Sequence, residues 1–202
     1  GYQTMLSGKW HVGHEPQSRP EVRGFDKFTG IYTHIDSYWK VLPGCEIYRD
    51  GELFIGSDAV PTDPYAPDEE FHTTEFFTNV ALDYIDQACC EPDYPFYLHL
   101  CYNAPHFPLE APDKLIDKYR GRYQRGWDQL RAEKLERMQA MGIVPTTQTL
   151  PEAVGFDQEE REGFDFKPSV DSCGLPAWDS LSDSDQRAVS YTHLRAHETS
   201  VD

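Results

Sequence analysis

Three side chains of this sequence could meet on a single anion. Lys9 and His11 flank Trp10 in Gly8-Lys9-Trp10-His11-Val12-Gly13, and His106 stands in Asn103-Ala104-Pro105-His106-Phe107-Pro108. A fixed ammonium stabilises negative charge on oxygen, and an imidazole can carry a proton near neutral pH. In an extended stretch successive side chains alternate. Lys9 and His11 would then share one side while Trp10 packs on the other. The competing reading is an exposed lysine beside a surface histidine, and spacing alone leaves the two open.

Such residues need elements to hold them. Thr4 to Leu6 reads as a short strand, and Gly8 as a point where the backbone passes close to a neighbour. Residues 73–90 carry Phe76, Phe77, Val80, Ala81, Tyr84, Ile85 and Ala88 at helical spacing, with Thr73 or Thr74 as the cap. The dense apolar run Phe96–Tyr102 follows and reads as a buried strand. A helix leading into such a strand indicates a layered α/β domain, and open α/β sheets place ligands at the carboxyl ends of their strands. His106 falls at that end. His99, inside the strand, reads as packed or edge-facing.

Residues 13–70 are rich in proline and glycine. Arg23-Gly24-Phe25-Asp26 reads as a turn with an aromatic plug, and Glu46–Ile55 as a hairpin about Asp50-Gly51. Tyr32, His34, Tyr38 and Trp39 either line a cleft or plug this loop onto the scaffold. Residues 110–142 read as two helices. Leu115, Ile116 and Tyr119 face inward on the first, and Trp127, Leu130, Leu135, Met138 and Met141 on the second. Residues 145–185 turn polar. Leu181-Ser182-Asp183 reads as a helix start that no helix follows.

Composition narrows the function classes. The 202 residues carry a formal net charge of -17, which argues against a nucleic-acid partner. An acidic surface still permits a local cationic pocket. No apolar run approaches the ~20 residues that a membrane span requires. The five cysteines lack zinc-type spacing and read as free thiols. His193 and His197 stand at a metal-type i, i+4 spacing but fall in the tail of residues 188–202, expected to be non-native, so no residue is assigned to a metal.

Gly1-Tyr2-Gln3-Thr4 through Gly8-Lys9-Trp10-His11-Val12-Gly13 resembles the second signature of the sulfatase family. The resemblance runs on through Arg23-Gly24-Phe25-Asp26, the helix and strand before Ala104-Pro105-His106, Tyr119-Arg120-Gly121-Arg122-Tyr123, Gly126-Trp127-Asp128 and Pro176-Ala177-Trp178-Asp179. It covers residues 1–187, and the arylsulfatase-like branch fits best. It implies a three-layer α/β/α, alkaline-phosphatase-like domain, here a partial one truncated at both ends. It also implies hydrolysis of small-molecule or carbohydrate sulfate esters by a formylglycine nucleophile beside calcium. Lys9 would bind the sulfate and the nucleophile's oxygens. His11 would hydrogen-bond the formylglycine hydroxyl and help to break down the covalent sulfate. His106 would bind the sulfate near the leaving oxygen.

The sequence departs from the family pattern at the nucleophile. No Cys/Ser-x-Pro-x-Arg occurs; Cys90-Glu91-Pro92-Asp93-Tyr94 has Tyr in place of Arg. The calcium acids are expected upstream of Gly1, and the later Asp/Asn pair and a second sulfate-binding lysine beyond Ala188. The chain alone is therefore expected to be inactive. Periplasmic or secreted placement of the full-length parent is a family-level expectation. The alternatives are a phosphodiesterase or phosphonate-type hydrolase of the same superfamily, and a non-catalytic binding module. Residues 188–202 show no apolar period and match a reading frame of a transposase-type sequencing adapter, so they are expected to be a non-native tail.

Overall fold

Alternation in Met5-Leu6-Ser7 sends Met5 into one apolar cluster and Leu6 into another on the opposite face. The strand that carries them, β1 (Gln3–Lys9), therefore runs between two packed layers. The computed structural model describes residues 1–150 and 178–198 and divides into two units, built on Gly1–Ile116 and Asp117–Leu194. The first unit holds a five-stranded sheet in the order β4-β3-β2-β1-β5. Here β2 is Lys27–Ile31, β3 Ile47–Arg49, β4 Glu52–Ile55 and β5 Phe96–Cys101. Both neighbours of β1 run parallel to it, while β3 and β4 add an antiparallel hairpin. Asp50 and Gly51 turn that hairpin with positive φ values of 49° and 90°, as a two-residue turn of this kind requires.

One face of the sheet is covered by α2 (Thr73–Cys89). Phe76, Phe77 and Val80 are fully buried there, with Met5, Ile31 and Ile47 from the sheet. Each such side chain stabilises the fold by about 2 kcal/mol relative to exposure. Polar ties set the helix on the sheet: Ser7 donates to the Phe77 carbonyl at 2.7 Å, and Thr29 and Tyr84 share a 2.7 Å hydroxyl bond. The opposite face holds Leu6, Phe28 and Tyr32, with Trp10 and Phe25 packed against them. The short helix α1 (Pro20–Arg23) lies within the crossover from β1 to β2, and Gly24 ends it at φ 109°. The α/β class is as expected.

Four sequence expectations need correction. β2 was not foreseen, because Lys27-Phe28-Thr29-Gly30-Ile31 sits among loop-forming residues and its glycine masks the strand pattern. β5 is an edge strand rather than a buried one. Leu98 and Leu100 face the core, but Tyr97 and His99 remain exposed beside Phe25. Neither Thr73 nor Thr74 caps α2. The N-cap is His72, which makes no capping bond and stacks on Tyr38, and both threonine hydroxyls are buried without a partner. A helix does follow Ser182: α5 spans Asp183–Glu198. Ser182 starts it by accepting the Asp185 N–H at 3.2 Å, a local cap that does not depend on an apolar period.

In the second unit α4 (Gly126–Ala140) follows a 3-10 turn at Arg122–Arg125. The helix α3 (Asp113–Lys118) ends just inside this unit and buries Ile116. The apolar residues expected to face inward on α4 are at most half-buried; only Gly126 is fully enclosed. A Cβ on Gly126 would stand 2.1 Å from the Trp178 ring. Trp178 also packs edge-on against Trp127 at 5.1 Å, and its N–H donates to Asp128 at 3.0 Å. Cys173 and most of the polar stretch before Trp178 lie outside the described residues. Among the described residues no helix is long and apolar enough to cross a membrane.

Close strand packing generates a prediction. A Cβ on Gly30 would sit 1.8 Å from the Gly8 carbonyl oxygen, whereas one on Gly24 meets nothing within 4 Å. Gly30→Ala should lower stability by about 3 kcal/mol through overpacking. Gly24→Ala should cost only the ~1 kcal/mol of a left-handed non-glycine residue. Urea unfolding of both variants measures the difference; equal losses would refute strand spacing as the limiting factor.

Candidate active site

The sheet brings the sequence-selected residues to one edge. Lys9 is the last residue of β1, and its register partner Ile31 is the last of β2. Beyond them the chain stays alongside β2, with Trp10 N–H donating to the Ile31 carbonyl at 2.9 Å and His11 N–H to that of Tyr32 at 3.0 Å. Trp10 packs against Phe25 and donates its indole N–H to the Ser18 carbonyl at 2.8 Å. The anticipated extended alternation fails at His11, which takes φ 50°. That left-handed turn, uncommon for a residue with a Cβ, rather than strand pleating, sets the exposed imidazole.

His106 arrives from the carboxyl end of β5, in the loop after Cys101, as the topology led one to expect. Its ring Nδ1–H donates to the Phe107 carbonyl at 2.7 Å, which leaves Nε2 as the free nitrogen. The loop is tied down from below. Tyr38, fully buried, donates its hydroxyl to the His106 carbonyl at 2.8 Å and accepts from the Asn103 amide at 3.3 Å. Glu110 then accepts from the Ser37 hydroxyl at 2.9 Å and the Tyr38 N–H at 2.7 Å.

The same clamp holds a third imidazole. The His34 ring lies 6.3 Å from that of His11 and 6.3 Å from that of His106, and its Nε2 is 3.3 Å from Asp36 Oδ1. Of the aromatic residues considered for a cleft, His34 alone joins the cluster. Tyr32 and Tyr38 are core residues, and Trp39 packs edge-on against His72 at 4.6 Å. Asp36 and Glu110 carried no sequence signal, since an acid in a loop is ordinarily a solvated charge.

The electrostatics are those of crowded cations. Burial pushes the Lys9 ammonium below its ordinary pKa. His11 is also held below the usual imidazole value, first by desolvation and then by the positive charges of Lys9, His34 and His106. An anion among these four groups would relieve that repulsion. Two concavities of the first unit do not suit an anion. One of about 500 Å³ is lined by Trp39, Glu69, Glu70, Glu75, Asp113 and Lys114, and a smaller one by Asp63, Glu69, Glu70, His72 and Glu75. Their net carboxylate charge would repel it.

The residues present do not fit a calcium site. Among the described residues no group of three or more His, Cys, Asp or Glu stands ready to hold a metal. Among the described residues Cys90, the cysteine nearest that pattern, does not fit a formylglycine precursor either. Cys90 caps the carboxyl end of α2 and donates its thiol to the Asp86 carbonyl at 3.3 Å. It precedes the Phe96 end of β5, which pairs with Gln3, while Lys9 and His106 stand at the other end of the strands.

This crowding predicts how His11 titrates. Followed by NMR, its imidazole should have a midpoint below that of a free histidine, and Lys9→Ala should move the midpoint up. A midpoint unmoved by Lys9→Ala would remove Lys9 from the cluster.

Comparison with known proteins identifies the family of the chain. The sulfatase family model matches residues 1–193. The arylsulfatase of Klebsiella aerogenes is 30% identical over 159 residues, covering 75% of this chain and 32% of the enzyme. The N-acetylgalactosamine-6-sulfatase of Mus musculus is 32% identical over 153 residues, covering 73% and 29%. Among solved structures, Ps i-CgsB in complex with k-i-k-neocarrahexaose is 26% identical with a TM-score of 0.47, covering 59% of this chain and 27% of that one. The chain thus spans about a third of the length of the curated relatives it matches. With Lys9, His11 and His106 gathered at the carboxyl edge of a parallel β-core, and with a family match running from Gly1 past the end of the second unit's packed tryptophan, the chain belongs to the sulfatase family, whose fold is alkaline-phosphatase-like.

Proposed function

We propose that the protein containing this chain hydrolyses sulfate esters and that Lys9, His11 and His106 serve its sulfate group. The observation that carries this reading is the convergence of these side chains at one end of parallel strands, beside His34, with their positive charges in mutual repulsion. Lys9 supplies a fixed charge to the sulfate oxygens. His106, with Nδ1–H committed to the Phe107 carbonyl, offers Nε2 near the leaving oxygen. His11 handles a proton beside them. Sulfuryl transfer spreads negative charge over several oxygens, and donors already fixed in place stabilise it without reorganising.

Formylglycine and calcium belong to this proposal through the family alone. The residues described here hold neither, and no step is assigned to them. The substrate class is a small-molecule or carbohydrate sulfate ester, in keeping with relatives named for aryl and N-acetylgalactosamine 6-sulfates. Without a Cys/Ser-x-Pro-x-Arg sequence the 202-residue chain has no recognisable nucleophile, and alone it should leave aryl sulfate at the background rate.

In the protein with its catalytic centre complete, Lys9→Ala and His106→Ala should each lower kcat/KM for an aryl sulfate by about 100-fold. Unchanged rates would reject the assignment. Faster turnover of an aryl phosphodiester than of the sulfate would favour a phosphodiesterase instead.

A further inference from the structure

Resting on that reading, a second layer of the site is visible in the loop between β2 and the hairpin. His34 is no incidental surface histidine. Its neighbour Ile35 is 2% exposed and Tyr38 is 0% exposed, so the backbone beneath the imidazole is locked into the core. Ser37 and Tyr38 are held by Glu110 from the far side of the His106 loop. The loops bearing His34 and His106 are thus one clamped body, and the spacing of their rings is fixed by it. The His34 side chain remains 46% exposed and is open to a ligand.

Asp36 supplies the orientation. Its Nε2 lies 3.3 Å from Asp36 Oδ1, close enough for the carboxylate to bias the ring's proton toward that nitrogen. The other oxygen of Asp36 accepts from the buried Cys45 thiol at 3.7 Å, which anchors the carboxylate. Protonation makes both ring nitrogens donors, and the His34 ring lies 6.3 Å from each of the His11 and His106 rings.

We propose that His34 is a further substrate-contacting residue, a third imidazole that holds the sulfate group between His11 and His106, and that Asp36 is its positioning residue. Each sulfate oxygen can accept more than one hydrogen bond, and a ring 6.3 Å from each of the other two is placed to donate one. Removing a hydrogen bond to a charged group weakens binding by roughly tenfold. The Asp36 carboxylate, in turn, selects which His34 nitrogen faces the anion.

The test is a titration of the isotope-labelled chain with inorganic sulfate at mildly acidic pH and constant ionic strength, read on the imidazole resonances. The His11, His34 and His106 signals should move along one saturating curve while His99, on the exposed flank of β5, stays in place. His34→Gln should weaken that curve roughly tenfold with no change in thermal midpoint. Asp36→Asn should redistribute the His34 tautomers, seen in its ring nitrogen shifts, and also weaken sulfate binding. Saturation of His11 and His106 with His34 unmoved would overturn the proposal and leave the anion site standing. No saturable response from any of the three would overturn the anion reading itself.

Discussion

The contact on which the site depends is between backbones, not side chains. At the carboxyl end of the parallel core, Gly8 faces Gly30 on one side and Cys101 on the other. A Cβ on Gly8 would lie 1.9 Å from the Cys101 carbonyl oxygen, and Gly8 itself takes φ 113°. Only a residue without a side chain permits that approach. The consequence is functional: the residue after Gly8 is Lys9, the residues after Ile31 lead to His34, and those after Cys101 lead to His106. Three strand ends drawn together deliver three loops to one place.

Charge then decides what can bind there. The chain carries a formal net charge of -17, so its long-range field repels an anion, and the acidic concavities near the start of α2 repel it locally. Against that background Lys9, His11, His34 and His106 form an island of opposite sign. Desolvation and the charges of Lys9, His34 and His106 hold His11 below the usual imidazole value in the empty site. A bound anion would reverse this by stabilising the protonated forms. Ligand and proton binding are therefore coupled, and the anion would help to charge the imidazoles that hold it. Carboxylates beneath the cluster act at a distance: Glu110 fixes Tyr38, and Tyr38 fixes the His106 carbonyl.

How much of this the sequence disclosed can be followed residue by residue. α2 was legible because Phe76, Phe77, Val80 and Tyr84 recur with helical period and all are buried. The hairpin was legible from Asp50-Gly51, where local turn chemistry suffices. β2 was not, since its pairing with β1 is non-local and its pattern is broken by Gly30. Exposure of β5 was also hidden, because an apolar run has the same composition at an edge as at the centre of a sheet. In the site, Lys9, His11 and His106 were legible from neighbouring glycine and proline, although the geometry at His11 differs from simple alternation. His34 was only one of several loop aromatics, and Asp36 had no signal. Their roles come from a fold-back that joins residues 34 and 106, and no local pattern encodes such a contact.

Among the described residues, Cys45 and Cys101 serve hydrogen bonding and packing. A thiol reacts as thiolate, and electropositive, partly open surroundings favour that form. Cys45 is buried, and desolvation holds its pKa above the ordinary value; Cys101 is raised in the same way. Cys45 acts instead as a donor to Asp36, and the Cys101 carbonyl is the surface against which Gly8 packs. Cys90 stands at the carboxyl end of α2, at the opposite end of the strands from Lys9 and His106. Residues 1–116 hold the Lys9, His11, His34 and His106 cluster in place through close backbone packing at Gly8 and Gly30 and through the Glu110–Tyr38–His106 clamp.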